Sequence, residues 1–243
     1  PPGSSEMSLL TVLQKFCSRT GLPVPAAAIG IDDAQITQLA GLADEVLEDL
    51  CQVDWQDLTK EAIFTTVAGE DQGAIHTIAP DSMLRIKAQT IYNRSLRLPI
   101  FGPITDSRWQ SMKALPTTGP FYKYRIRGGR LLFNPVGIAG HTCAFEYVSG
   151  NIVQHADGSY SPSFTADSDV LILTEGEKLL LAGLRWKWRS EKGMDYAEEF
   201  RRYEELKLSL TSTDATKPVL SLDGGDQNLR PGIWTPAGNW NQP

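Results

Sequence analysis

The spacing of apolar positions near the start of the chain is helical. Ser8 can cap a helix running from Leu9 to about Thr20, which Gly21 with Pro23 and Pro25 then stops. Asp32 and Asp33 are N-cap residues for a second helix. There Ile36, Leu39, Ala43, Val46, Leu47 and Leu50 keep a 3.6-residue period, and Asp44, Glu45, Glu48 and Asp49 take the other face. This pattern predicts a helix ending near Trp55.

From Ile63 the pattern alternates with period two, which predicts short strands over residues 63–67, 74–78, 83–86, 90–93 and 98–101. A short helix over 107–115, capped by Thr105 or Asp106, interrupts the series. In FYKYRIRGGRLLF, strands 121–127 and 130–133 flank Gly128 and Gly129, which can take the positive φ angles of a tight hairpin turn. Further strands are expected over 141–149 and 152–154, and Asp157-Gly158 is a second hairpin signal. The middle therefore reads as an all-β module, closer to a sandwich or barrel than to βαβ units.

Helical spacing returns in the last third. Thr174-x-x-Glu177 has the form of a capping box before LLLAGLRWKWR. Gly193 weakens the run, which resumes over 194–210 with Tyr196, Phe200, Tyr203 and Leu206 on one stripe. From Thr213 to Pro243 glycines and prolines preclude regular helix, yet Ile233, Trp234 and Trp240 remain, more than a solvated linker needs. Such an arm reaches roughly 100 Å when fully extended.

Composition adds exclusions. With 243 residues and 41% hydrophobic, the chain can bury a sizeable core, and no apolar run nears the roughly 20 residues that span a bilayer. Pro1 to Glu6 is small and polar, without the apolar stretch of a signal peptide, and reads as upstream read-through or an expression remnant. Three separated cysteines (Cys17, Cys51, Cys143) argue against a disulfide framework or a cysteine zinc site and for a reducing folding compartment. Three histidines (His76, His141, His155) fit no metal spacing, so neither metal nor cofactor is expected.

The net charge of −6 is the remainder of opposed blocks: −10 over residues 1–84, +9 over 85–130 and −5 over 131–243. The basic block (Arg85, Lys87, Arg94, Arg97, Arg108, Lys113, Lys123, Arg125, Arg127, Arg130) suits a phosphate backbone. A solvated sheet face or a match to the acidic front of another copy suits it better. No RNP, OB or helix-turn-helix signature accompanies it.

Catalytic chemistry finds little footing. His141 and Cys143 share a strand face without a group to orient the histidine. Glu61, Glu70 and Asp71 offer carboxylates whose separation only a structure can test. Thr165-Ala-Asp-Ser-Asp169 lacks the glycine and terminal glutamate of a calcium loop and reads as a polar turn capping the next helix. Trp186 and Trp188 point to nearly opposite helix faces, so one belongs to the core and the other to an interface or the surface.

The order of elements resembles the head-to-tail adaptor proteins (tail accessory or head-completion connector proteins) of short-tailed bacteriophages, from Met7 to Pro243. The carriers are MSLLTVLQKFCSRTGLPVP, the acidic second helix running through Asp54-Trp55 into LTKEAIFTTVAGEDQG, and Leu98-Pro-Ile-Phe-Gly-Pro103. GPFYKYRIRGGRLLF, AFEYVSGN, LLLAGLRWKWR with KGMDYAEEFRRYE, and RPGIWTPAGNW complete the set. The resemblance implies an α+β fold. N- and C-terminal helices (7–60 and 167–212) form a bundle, a sandwich- or barrel-like β module (61–166) is inserted, and an extended arm follows (213–243). It implies a structural virion protein of the neck rather than an enzyme. The ring, usually of about twelve subunits, docks beneath the portal protein ring, leads to the tail nozzle or tube, and surrounds a channel for double-stranded DNA, with no membrane partner. Lys217, Arg230, Pro231, Ile233, Trp234, Pro236 and Trp240 would form the portal-docking arm. Arg94, Arg97, Arg125, Arg127 and Arg130 would face neighbouring copies or DNA. A DNA-binding module using 85–130, and a peptidoglycan-cleaving virion enzyme, are the alternatives.

Overall fold

The computed structural model describes residues 8–115 and 121–214. The arm residues Lys217, Arg230, Pro231, Ile233, Trp234, Pro236 and Trp240, and the stretch Pro1 to Glu6, lie outside the described residues. In chain order the elements are α1 (Leu9–Thr20), α2 (Ala34–Cys51), β1 (Thr59–Thr65), β2 (Gly69–Ala74), α3 (Ile75–Ile78), β3 (Met83–Ile86), β4 (Tyr92–Asn93) and β5 (Leu98–Pro99). There follow α4 (Asp106–Ala114), β6 (Lys123–Arg127), β7 (Arg130–Gly137), β8 (Thr142–Ser149), β9 (Val153–Gln154), β10 (Tyr160–Ser161), β11 (Val170–Leu171), α5 (Gly176–Glu191) and α6 (Ala197–Asp214). The fold is thus mixed α and β, as the alternation of periods predicts. The chain divides into two compact units, one holding 8–63, 73–87 and 145–214, the other 64–72 and 88–144.

The first unit is built on α1, α2, α5 and α6. The predicted apolar stripe of α2 is its buried face: Ile36, Leu39, Ala43, Val46, Leu47 and Leu50 join Leu13, Phe16, Leu179, Leu180, Leu184 and Tyr203 in one core. Asp33 caps α2 as expected, accepting from the N–H groups of Gln35 and Ile36. The helix stops at Cys51, short of Trp55, because Arg85 takes over its terminal carbonyls. The Arg85 guanidinium donates to the carbonyls of Cys51 (3.0 Å) and Gln52 (3.1 Å) while pairing with Asp54. Trp188 is the core tryptophan, meeting Phe16 edge-on at 5.9 Å. In the same unit, β9 pairs antiparallel with both β10 and β11, and the Asp157-Gly158 turn joins β9 to β10 with Gly158 at φ 82°.

Three local expectations are corrected. Residues 75–78 form a single helical turn rather than a strand, since the Ala79 N–H bonds the Ile75 carbonyl at 2.8 Å. The Thr174–Glu177 capping box does not form. Thr174 instead donates through both its N–H and its hydroxyl to Asp57, and Glu177 pairs with Lys15 at 2.7 Å. The N-cap is Glu175, held at φ 61° without a side-chain cap bond. The 165–169 turn caps the first helix rather than the next one, because its carbonyls at Asp169 and Asp167 accept from the N–H groups of Leu9 and Leu10.

In the second unit, β6 and β7 form the expected hairpin, with Gly128 and Gly129 at φ 57° and 70° and Arg127 opposite Arg130. β2 lies on the other side of β7. Buried Gln72 closes the turn before β2, accepting from the Val67 N–H and donating to the Val67 and Gly69 carbonyls. β4 pairs with β5 and with residues Cys143 and Ala144 of β8. Tyr122 stacks on Phe133 at 5.9 Å, and Trp109 of α4 is fully buried.

Candidate functional site

The opposed charges of the sequence blocks persist, less sharply, between the two units. Residues 64–72 and 88–144 carry eight Lys or Arg against three Asp or Glu, a net of +5. Residues 8–63, 73–87 and 145–214 carry 13 bases against 23 acids, a net of −10. All three acids of the basic unit are already engaged within it. Asp106 pairs with Arg125 at 2.6 Å, Glu70 with Lys113, and Asp71 with Arg130. The side chains of Arg97, Arg108, Lys123 and Arg127 make no ion pair or hydrogen bond to any described residue. The surplus charge of this unit is therefore directed outward.

The five arginines singled out from sequence do not form one stripe. Arg125 is largely covered (14% exposed) and committed to Asp106. Arg127 and Arg130 flank the β6–β7 turn, while Arg94 and Arg97 flank the β4–β5 turn. Phe101, which follows β5, runs parallel to Lys123 at the start of β6. The two arginine-bearing tips therefore point to opposite ends of the unit, roughly 30 Å apart for straight strands. Arg85 belongs to the other unit and serves as the α2 cap.

A second exposed feature lies at the junction of α5 and α6. Gly193, at φ 65°, ends α5, and the Met194 N–H returns to the Arg189 carbonyl at 2.9 Å. The chain turns back over Trp186, whose ring lies 6.3 Å from Tyr196, 5.2 Å from Phe200 and 6.1 Å from Tyr203. The result is an open groove of about 630 Å³ lined by Trp186, Met194, Asp195, Tyr196, Ala197 and Phe200. The predicted α6 stripe is thus split. Tyr203 is core, whereas Tyr196 (42% exposed) and Phe200 (41%) stay open. Spacing alone could not show this; the signal was the glycine that lets the loop reverse. Burial, followed by the charges of Asp49 and Glu204, pushes the Tyr203 hydroxyl pKa well up.

The catalytic candidates are placed as follows. Cys143 is fully buried and its thiol is pushed up to about 11 by burial, which removes nucleophilic character near neutral pH. His141 lies just before β8, with Nδ1 3.4 Å from Asn93 Nδ2. Glu70 and Asp71, adjacent on a strand, each have a base as partner. Sequence reading missed the His155–Asp169 pair. Asp169, fully buried, accepts from His155 Nδ1 at 2.8 Å and from the N–H groups of Thr165 and Ala166. Burial would raise its pKa, but these bonds outweigh that and hold it below the ordinary carboxylate range. Its neighbour Asp167 binds the N–H groups of Ala28 and Ile29, each at 2.8 Å, so the turn is a structural hub.

Among the described residues no group of three or more His, Cys, Asp or Glu is arranged to hold a metal ion. None of their helices is long and apolar enough to cross a membrane. No protein-family model and no curated protein sequence matches the chain.

Proposed function

We propose that the chain is a structural subunit of a bacteriophage neck. In this reading it is a head-to-tail adaptor whose copies form a ring beneath the portal and connect it to the tail nozzle or tube around the DNA channel. The finer architecture belongs to the same reading: a bundle of the N- and C-terminal helices, an inserted β module, and residues 213–243 as an arm reaching the portal. The observation that carries it is the sorting of charge into one unit of −10 and one of +5, with every acid of the basic unit already paired inside it. Unlike-charged surfaces on one chain favour heterologous contacts, in which one face of a copy meets a different face of the next, and such contacts close into rings. The aromatic groove beside α6 is a further exposed apolar surface of the kind that interfaces use.

The test is the mass of the full chain alone and with a portal ring. Single copies at micromolar concentration, collecting as a ring on the portal, support the reading. A chain that ignores the portal overturns it. A DNA-binding reading would use the same arginines, but their placement at two opposed tips does not favour one continuous phosphate track.

A further inference from the structure

The tip of the β4–β5 hairpin is a fixed basic platform. Asn93, 1% exposed, accepts the Leu96 N–H on its side-chain oxygen at 2.9 Å. Ser95 Oγ accepts the Thr142 N–H at 2.9 Å, and the Arg94 N–H donates to the Thr142 carbonyl at 2.8 Å. These bonds hold the loop backbone, while Arg94, Ser95, Leu96 and Arg97 are all exposed. Leu96 stands 40% exposed between two guanidinium-bearing residues. Arg97 sits at φ 58°, a left-handed conformation that side chains larger than glycine adopt only against a steric cost. Its guanidinium has no partner among the described residues.

The first unit has a surface of opposite character. Along α2, Gly41, Glu45, Glu48 and Gln52 form an exposed ridge at helical spacing. Glu45 shares Lys187 with Asp49, and Glu48 has no partner among the described residues. The C-terminal carbonyls of α2 are already taken by Arg85, so the ridge's negative character rests on its glutamates. Like-charge crowding already acts there. Burial first, and then the Glu48 charge, raise the pKa of Asp44, against the lowering bond from the Phe164 N–H.

We propose that the 94–97 tip of one copy docks on the Glu45 and Glu48 ridge of α2 in a second copy. Arg97 meets Glu48, the members of the two surfaces without an ion-pair partner among the described residues, and Leu96 covers the small surface at Gly41. Each copy carries both halves of the contact, so it repeats head to tail. The proposal rests on the assembly reading above and names the contact that would hold neighbours together.

Charge swaps test it, in sedimentation of the full chain up to millimolar concentration at low and high salt. Both positions are exposed, and matching thermal melts establish that the variants fold. Arg97→Glu and Glu48→Arg should each weaken self-association about tenfold or more at low salt. The double variant R97E/E48R should recover most of the loss, because the reversed pair re-forms. An equimolar mixture of the two single variants should also recover association and extend by alternation, since each of its mixed contacts is either native or reversed in charge. Single variants that associate like the unaltered chain overturn the contact and leave the assembly reading standing. A chain that stays single at millimolar concentration also overturns the contact, while the assembly reading is judged by the portal mass. If Arg97→Glu instead abolishes duplex DNA binding without changing self-association, the tip belongs to nucleic acid and the proposal fails.

Discussion

Gly183 of α5 lies so close to Val46 of α2 that a Cβ added to it would stand 2.7 Å from both Val46 methyl carbons. A glycine inside a helix costs about 1 kcal/mol relative to alanine, so its presence here marks the close approach of two helices rather than local preference. Gly183→Ala should therefore lower stability by about 1–3 kcal/mol despite its better helix propensity. Val46→Ala in the same chain should recover part of the loss. Thermal unfolding of the two single variants and the pair measures both effects. A rise in Tm for Gly183→Ala would mean that the helices have room to spare.

Asp169 makes stability depend on pH with a definite sign. Its pKa is depressed in the fold, so its contribution is full above the ordinary carboxylate range and is lost as pH falls through the folded value. Asp169→Asn should cost about 2–4 kcal/mol near pH 7, since the turn holding Leu9, Leu10, Ala28 and Ile29 depends on it. The difference from the unaltered chain should shrink toward pH 3. Denaturant melts across that window check it, and a constant difference would show that the charge is not what matters.

The cysteines should be silent in the folded protein. Burial pushes Cys51 and Cys143 up to about 11, and Cys17 is raised by burial and then by the Asp33 charge. Thiol reagents at pH 8 should label the native chain at least about a hundredfold more slowly than the denatured chain. All three thiols should react after unfolding. Rapid labelling of one native thiol would expose an opening of the core around it.

The α6 stripe should divide into two energetic classes. Tyr203→Ala removes a fully buried ring and should cost about 3–5 kcal/mol. Phe200→Ala removes a ring 41% exposed and should cost only about 1 kcal/mol. If the groove is an interface, Phe200→Ala should weaken assembly while leaving the melt nearly unchanged. Equal losses of stability would mean that the groove is core.

Local chemistry made the hairpin and the helices legible. Gly128-Gly129 can take positive φ at both positions, and the apolar residues of α2 keep their period for about four turns, so both elements follow from neighbours in sequence. The failures have non-local causes. Thr174 was taken by Asp57, 117 residues away, before any capping box could close. Residues 75–78 alternate for too few positions to separate a strand from one helical turn. The basic block is contiguous in sequence only. Topology distributes it between two hairpin tips, an α2 cap and three internal ion pairs. Opposed charge was visible in sequence, but which charges are left over depends on pairings that only the fold supplies.

Residues 217–243 lie outside the described structure, and the account gives them a separate test. A chain ending before Lys217 should fold with an unchanged melt and lose portal attachment. Normal attachment of the shortened chain would remove the arm from the account.

The most direct test of the central claim is the mass of the full-length chain bound to a purified portal ring, by native mass spectrometry across ionic strength. The account predicts several copies arranged as a ring on each portal, about twelve for a closed one, with occupancy falling as salt screens the contacts between copies. Absence of binding, or single copies bound without neighbours at every salt concentration, would contradict it.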